Sequence, residues 1–225
     1  MIVTHIGPKK TKIEFQGRKA KRADSRERRR LILEAALRVI IRDGMRGMRH
    51  RAIATEASVP LAATTYYFKD INELISDAFN LFAENSSANT QQLVENSFRA
   101  LEQHTPEQLR EPSTRKVIAD GLIEFMVEHI ERQVRDRDGR VLEHAFRNEA
   151  LRNPILAKHA AIPQQQTLAL VVKFCRLLES SDPEADAEIV NGVIMQLEYQ
   201  ALTSNAENNG IIRRTITHMV EKIIA

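Results

Sequence analysis

The chain has 225 residues, of which 43% are apolar and 28% charged, a balance typical of a folded globular protein. Few glycines and prolines interrupt a sequence rich in Ala, Leu, Ile, Glu and Arg, so the composition favours helices over sheets. The absence of an apolar run near the roughly 18 residues of a membrane span, and of a signal-peptide-like start, leads us to expect a cytoplasmic protein without a membrane partner. Its single cysteine, Cys175, excludes an internal disulfide and is expected to be buried.

Charge is distributed unevenly along the chain. Residues 1–69 hold 17 Lys and Arg against 6 Asp and Glu, whereas residues 70–225 hold 16 against 24. A basic end attached to an acidic remainder predicts that this end meets a polyanion. For a charge run taken alone, a solvated surface is the alternative.

The first predicted helix follows a basic N-terminal segment. Residues 1–23 show no helical period, and we expect a flexible basic arm there with these cations: Lys9, Lys10, Lys12, Arg18, Lys19, Lys21 and Arg22. Helix 1 is expected from Asp24 to about Asp43, because Asp24 and Glu27 have capping-box spacing and apolar residues recur on one face. That face consists of Leu33, Ala36, Leu37, Ile40 and Ile41.

Two short helices and a longer one are expected next. Helix 2 covers about residues 48–57 and helix 3 residues 60–67. Pro60 suits the first turn of a helix, because its missing N–H has no partner there. Helix 4 is expected from Asp70, whose spacing to Glu73 again fits a helix cap, to about Glu102.

Five further helices complete an all-α prediction of about nine helices. Their boundaries follow from start and stop signals such as Asn153-Pro154 and Asp182-Pro183. The predicted helices are one beyond Pro106 and Pro112 that ends near Asp138-Gly139, then 141–152, one within 155–178, about 183–204, and one after Gly210. We expect an arm over residues 1–23, a three-helix DNA-binding domain over 24–85, and a larger helical regulatory and dimerisation domain over 86–225.

The most informative segment is residues 53–68, IATEASVPLAATTYYF. It predicts two short helices joined by a tight turn, which is the arrangement of a helix-turn-helix DNA-binding head. Over residues 28–80 the sequence resembles the TetR (tetracycline-repressor) family of transcriptional regulators, whose pattern is similar to Ile-Ala-x-x-Ala-Gly-Val followed by aromatic residues and Phe. The chain departs from that pattern at Ser58 and Ala62, where the family has Gly, and at Ile71, where it has Lys.

The resemblance implies a homodimeric repressor that binds double-stranded DNA, at a palindromic operator, through helix 3. Small residues on that helix would let the backbone approach base edges, and tyrosine hydroxyls would reach phosphates. Core packing is the alternative for the tyrosines. The predicted DNA-binding residues are Arg46, Arg49, His50, Arg51, Thr55, Pro60, Leu61, Ala62, Ala63, Thr64, Thr65, Tyr66, Tyr67 and Lys69.

The larger domain is expected to hold the dimer seam and a cavity for a small lipophilic inducer of unknown identity. For both sites, ordinary packing within the chain is the alternative. The predicted seam consists of Ile189, Val193, Ile194, Leu197, Ile212, Ile216, Met219, Val220 and Ile223. The candidate cavity residues are Phe125, Met126, His129, Leu142, Phe146, Leu168 and Val172.

An enzyme and an architectural DNA-binding protein are the two other functional classes. The sequence has no HExxH, CxxC or GxSxG motif and no glycine-rich phosphate loop, and its histidines lack metal-ligand spacing, so we expect neither an enzyme nor a metal or cofactor site. A non-specific architectural DNA-binding protein is the alternative. In either case the arm would follow a DNA minor groove or serve as a solubilising tail.

Overall fold

A computed structural model of the chain describes residues 15–18, 23–102, 104–204 and 209–224. Over these residues the chain forms ten α-helices and one short 3-10 helix, without a strand, and the all-α prediction is confirmed. The helices are α1 Ala23–Asp43, α2 His50–Glu56, α3 Leu61–Tyr67, α4 Ile71–Glu102, α5 Pro106–Arg110, α6 Pro112–Arg135, α7 Arg137–Ala150, α8 Pro154–Leu177, α9 Pro183–Thr203 and α10 Asn209–Ile224; the 3-10 helix is Met45–Gly47.

The helices divide into two compact units. Of the described residues, those within 1–89 and 141–166 form the first unit, and those within 90–140 and 167–225 form the second. The predicted larger domain includes residues 141–166, but these residues pack with the predicted DNA-binding helices. The reason is aromatic packing: the Phe146 ring of α7 lies 5.3 Å from that of Phe79 and 5.8 Å from that of Phe82, both on α4.

The core of the first unit is built by the predicted apolar faces. Leu33, Ala36 and Ile40 of α1 are buried against Leu74 and Ala78 of α4 and their neighbours. Full burial of a large aliphatic side chain contributes about 1.5–3 kcal/mol to stability. This core therefore fixes α1, α2 and α3 as one head, because each contributes apolar side chains to it.

Side-chain caps explain where α4 and α9 begin. The Asp70 carboxylate accepts hydrogen bonds from the backbone N–H of Asn72 at 2.8 Å and of Glu73 at 3.0 Å. Asp182 accepts from the backbone N–H of Ala185 at 3.1 Å at the start of α9. These predicted starts are confirmed within a residue or two.

Two predicted boundaries are wrong. The helix expected to end at Asp138-Gly139 ends at Arg135, because the Asp136 carboxylate accepts from the N–H of Gly139 at 3.1 Å and so starts α7. The segment after Pro106 forms two helices, because Thr105 and Gln108 make a reciprocal capping box on the short α5. A local cap of this kind contributes about 1 kcal/mol, which offsets the roughly 1 kcal/mol that a glycine such as Gly139 costs inside a helix.

The second unit has its own core, in which α6 and α9 pack against each other and α10 packs against both. Ile123, Val127 and Ile130 of α6 meet Ile216 and Val220 of α10 there. Cys175 is buried as expected, and burial, with the charge of Asp186 adding to it, raises the pKa of its thiol to about 11. Among the described helices, none is both long enough and apolar enough to cross a membrane.

Candidate nucleic-acid interface

The turn between α2 and α3 is closed by backbone hydrogen bonds. The N–H of Ala57 donates to the Ile53 carbonyl at 2.8 Å, and the N–H of Val59 donates to the Ala54 carbonyl at 3.0 Å. Ser58 lies between them with a φ of 53°, the left-handed conformation that favours glycine. Pro60 then precedes the first residue of α3. This turn presents one side of the seven-residue α3 to solvent.

Replacing Ser58 with glycine should relieve the strain in this turn. A left-handed residue with a Cβ costs roughly 1–2 kcal/mol, and the greater chain entropy of unfolded glycine offsets part of the gain. We expect Ser58→Gly to raise the free energy of unfolding in a urea titration by up to about 1 kcal/mol. Ser58→Ala keeps the Cβ and should give no gain. A glycine variant less stable than the wild type would show that the backbone at Ser58 is not strained.

The exposed side of α3 carries small side chains and one aromatic ring. Ala62 and Thr65 are exposed, and Leu61 is partly so. Tyr66 has 54% of its surface exposed. The Thr65 hydroxyl donates to the Ala62 carbonyl at 3.3 Å, and the side chain as a whole is exposed. Side chains of this size suit close approach to base edges in the major groove.

Thr64 and Tyr67 do not lie on that side, and our prediction that they contact DNA is corrected. Thr64 is fully buried, and its hydroxyl donates to the Leu61 carbonyl at 2.8 Å and lies 3.1 Å from Nδ1 of His50. Tyr67 is buried too, with its hydroxyl 2.9 Å from Oγ of Ser25. Residues three apart share a helix face, and the core claims the face that these two occupy.

Exposed basic residues precede and follow α3 in the sequence. Arg46, Arg49 and Arg51 are exposed near the start of α2, and Lys69 is exposed after α3. Thr55 is exposed, and its hydroxyl donates a hydrogen bond to the Arg51 carbonyl at 3.0 Å. His50 and Ala63 are half-buried. The predicted contacts of the exposed residues, Pro60 included, therefore stay predictions.

Two other arginines of the head are engaged by an acid. Arg38 and Arg42 donate to the two carboxylate oxygens of Glu56 at 2.8 and 2.7 Å. These hydrogen bonds lower the pKa of Glu56, and bonds to Asp43 and Glu56 raise that of Arg42. The positive charge of Arg38 and Arg42 is therefore balanced by Glu56 and Asp43 within the head.

Residues 15–18 are ordered, which corrects the prediction of a flexible arm for that part. We call Phe15, Gln16, Gly17 and Arg18 the strap. The backbone N–H groups of Gln16 and Gly17 donate to the two carboxylate oxygens of Asp77 at 2.6 and 2.8 Å, and that of Arg18 donates to the Tyr67 carbonyl at 2.9 Å. The arm's remaining cations, at positions 9, 10, 12, 19, 21 and 22, lie outside the described residues.

Asp77 is the centre of this attachment, and sequence analysis missed it. The carboxylate is fully buried and is also paired with Arg29 of α1. Burial raises the pKa of Asp77, and the hydrogen bonds from Gln16, Gly17 and Arg29 oppose that shift. The available signal was an aspartate within the apolar stripe of α4, because a buried carboxylate requires partners.

The predicted dimer seam is largely occupied by packing within the chain. Leu197, Ile212, Ile216, Met219 and Val220 are buried in the core of the second unit, and Val193, Ile194 and Ile223 are partly buried against it. Only Ile189 of the predicted set is exposed. The outward stripe of α9 instead joins Ile189 to Gly192, Gln196 and Tyr199, with Ile211 exposed on α10. A Cβ at Gly192 would meet nothing within 4 Å.

The candidate cavity residues are divided between the two units. Leu142 and Phe146 are buried in the core of the first unit, where they have a packing role. The other five lie in the second unit and are half-buried: Phe125, Met126, His129, Leu168 and Val172. The rings of Phe125 and His129 are stacked, with centroids 6.3 Å apart and an angle of 18° between their planes.

Comparison with known proteins agrees with this architecture. A model of the tetR family of bacterial regulatory proteins matches residues 32–78, and a model of the tetracyclin repressor-like C-terminal domain matches residues 118–225. The HTH-type transcriptional regulator PksA of Bacillus subtilis (strain 168) is 42% identical over 64 residues, which are 28% of this chain. That match spans 31% of PksA, or about a third of its length.

Solved structures resemble the chain over most of its length. A TetR-family transcriptional regulator from Mesorhizobium loti superimposes with a TM-score of 0.66 at 18% identity, covering 90% of this chain and 98% of that one. At this identity the likeness concerns the fold alone. The multidrug binding protein EbrR, complexed with ethidium, gives a TM-score of 0.54 at 27% identity, covering 86% of this chain and 98% of EbrR.

Fold and interface together define a helix-turn-helix protein with a second helical unit. Models of one family match both its head and its C-terminal part. The chain belongs to the TetR family of bacterial regulatory proteins. It is a regulator and not an enzyme, because the family and the matched relative are transcriptional regulators.

Proposed function

We propose that the protein is a homodimeric repressor that binds a palindromic operator through α3 and releases it when a small lipophilic molecule binds. The exposed side of α3 carries the proposal, since Thr65 and Tyr66 stand at the surface of a head otherwise held together by its core. Bound across a promoter, such a dimer would repress by excluding the transcription machinery.

The outward stripe of α9 supports the dimer. Ile189 and Tyr199 are 52% and 50% exposed, and Gly192 between them has no neighbour that explains a glycine. A glycine in mid-helix costs about 1 kcal/mol relative to alanine. Close approach of a second copy would account for it, and α10 would continue the seam through Ile211.

The inducer is supported by the second unit and by one relative. EbrR has been solved with ethidium, proflavin and imidazole. In this chain the stacked pair of Phe125 and His129 offers an aromatic surface to a flat ligand. Such a ligand would release the operator only if it binds more tightly to the form of the dimer that does not fit DNA.

The operator hypothesis is tested by selecting binding sites from random duplexes, followed by anisotropy titrations. The wild-type protein should enrich a palindrome. Thr65→Ala should weaken binding to it by about 1–3 kcal/mol, roughly 5- to 150-fold, and relax the preference at one base pair of each half-site. Ser113→Ala, which removes an exposed hydroxyl from α6, should change neither.

Selection that returns no palindrome would favour the architectural alternative, because packaging proteins do not discriminate between sequences.

Repeating the titration with ethidium as the probe tests the inducer. Release of the operator at concentrations that also raise the melting temperature supports coupling between the two sites. Release without a thermal shift would place the effect of ethidium on the DNA.

A further inference from the structure

The strap brings a cation to the end of the DNA-facing helix. The guanidinium carbon of Arg18 lies 4.3 Å from the centroid of the Tyr66 ring. Arg18 is exposed, and Tyr66 lies on the side of α3 that faces solvent. A guanidinium stacked on a ring keeps its charge and leaves the N–H groups at its edge available for an anion.

The backbone that carries this guanidinium is held by two hydrogen bonds. The N–H of the buried Gly17 donates to the Asp77 carboxylate, and the N–H of Arg18 donates to the Tyr67 carbonyl. A Cβ at Gly17 would lie 2.8 Å from Cδ1 of Phe68 and 2.9 Å from Oδ2 of Asp77. Only glycine lets the chain pass this close to Phe68, so the path that places Arg18 beside Tyr66 depends on that residue.

We propose that the strap is a second DNA-binding element, in which Arg18 binds a phosphate of the duplex beside the end of α3. The inference rests on the proposed function, because it takes α3 as the helix that meets DNA. Arg18 adds affinity without reading sequence, since phosphate contacts position a protein and base contacts specify. Its stacking on Tyr66 and its tethered backbone reduce the entropy lost when the phosphate is bound.

Arg18→Ala tests the contact. Each phosphate neutralised on B-DNA contributes about 0.9 to the slope of log affinity against log salt concentration. We expect the magnitude of that slope to fall by about 0.9 for each half-site, and so by about 1.8 for the dimer on a full operator. The affinity should fall roughly two- to fivefold per half-site at about 0.15 M salt, equally for every operator sequence. Arg18→Lys should restore the slope, because it restores the charge.

Two further variants complete the test. Arg152→Ala removes an exposed cation from the same unit, and its slope should match that of the wild type. Gly17→Ala leaves Arg18 chemically intact but displaces the strap, so it should reproduce the smaller slope of Arg18→Ala. Circular dichroism checks that both proteins keep their helix content.

The outcomes separate this inference from the function on which it rests. If the wild type selects a palindrome and Arg18→Ala keeps its slope and affinity, the strap does not bind DNA and the inference is overturned. A loss confined to one base pair would overturn it as well, because Arg18 would then read a base. If the wild type selects no sequence but Arg18→Ala lowers the slope on random duplexes, the phosphate contact stands and the repressor proposal fails.

Discussion

Replacing Asp77 with alanine should lower the free energy of unfolding by about 3–5 kcal/mol, the cost of breaking a buried ion pair by removing one partner. The carboxylate is fully buried and accepts from two strap N–H groups as well as from Arg29. Without it, the Arg29 guanidinium, only 13% exposed, keeps its charge but loses the carboxylate to which it is bonded. The N–H groups of Gln16 and Gly17 lose their acceptor at the same time.

Urea unfolding followed by tyrosine fluorescence measures this effect, since Tyr66 and Tyr67 are two of the three tyrosines. Asp77→Asn keeps an acceptor oxygen but loses the charge, and its stability should fall between those of the alanine variant and the wild type. Asp120→Ala, at an exposed position of α6, should change stability by less than about 0.5 kcal/mol. An alanine variant within about 1 kcal/mol of the wild type would show that Asp77 does not anchor the strap.

The double variant Ile189→Glu, Tyr199→Glu should be a folded monomer with a much lower affinity for the full operator. Both side chains are about half exposed on the outward stripe of α9, so neither change empties the core. Two linked heads bind two half-sites with an advantage of roughly 10²–10⁴-fold over one head, through effective concentration alone. Four glutamates at a paired seam would repel each other and abolish that advantage.

Light scattering after size exclusion gives the mass in solution, and anisotropy titrations give the affinities for a full operator and a half-site. We expect a loss of roughly 10²–10⁴-fold on the full operator and little change on the half-site. Val117→Glu introduces the same charge at an apolar position that is 68% exposed on α6, outside the stripe, and should leave the dimer intact. A double variant that stays dimeric would move the seam away from this face of α9.

Periodicity and capping made the helices predictable from the sequence. The buried face of α1 repeats every three or four residues, and Asp70 and Asp182 have the side chains that helix starts require. The rotation of α3 was not predictable, because seven residues make only two turns. Its phase is set by the core, which takes Thr64 and Tyr67 and leaves Thr65 and Tyr66 outside.

The strap and the dimer seam also differ from the sequence-based predictions, and each difference has a physical cause. The strap contacts α4, which is about 60 residues away in the sequence. The strap has only four residues, too few to show a periodic pattern from which this contact could be predicted. In α9 and α10, an apolar stripe looks the same whether it faces its own chain or a second copy. Burial separates the two cases: Ile216 belongs to the chain's own core, whereas Ile189 remains at the surface.

The attachment of the strap also bears on how much of the N-terminus can be trimmed. By helical pattern alone, a protein shortened to begin at α1 would look intact. It would nevertheless lose the segment that covers Phe68 and satisfies Asp77, leaving an aromatic ring uncovered and a carboxylate short of two donors. A head that keeps these contacts therefore has to include residues 15–18, ahead of its first helix.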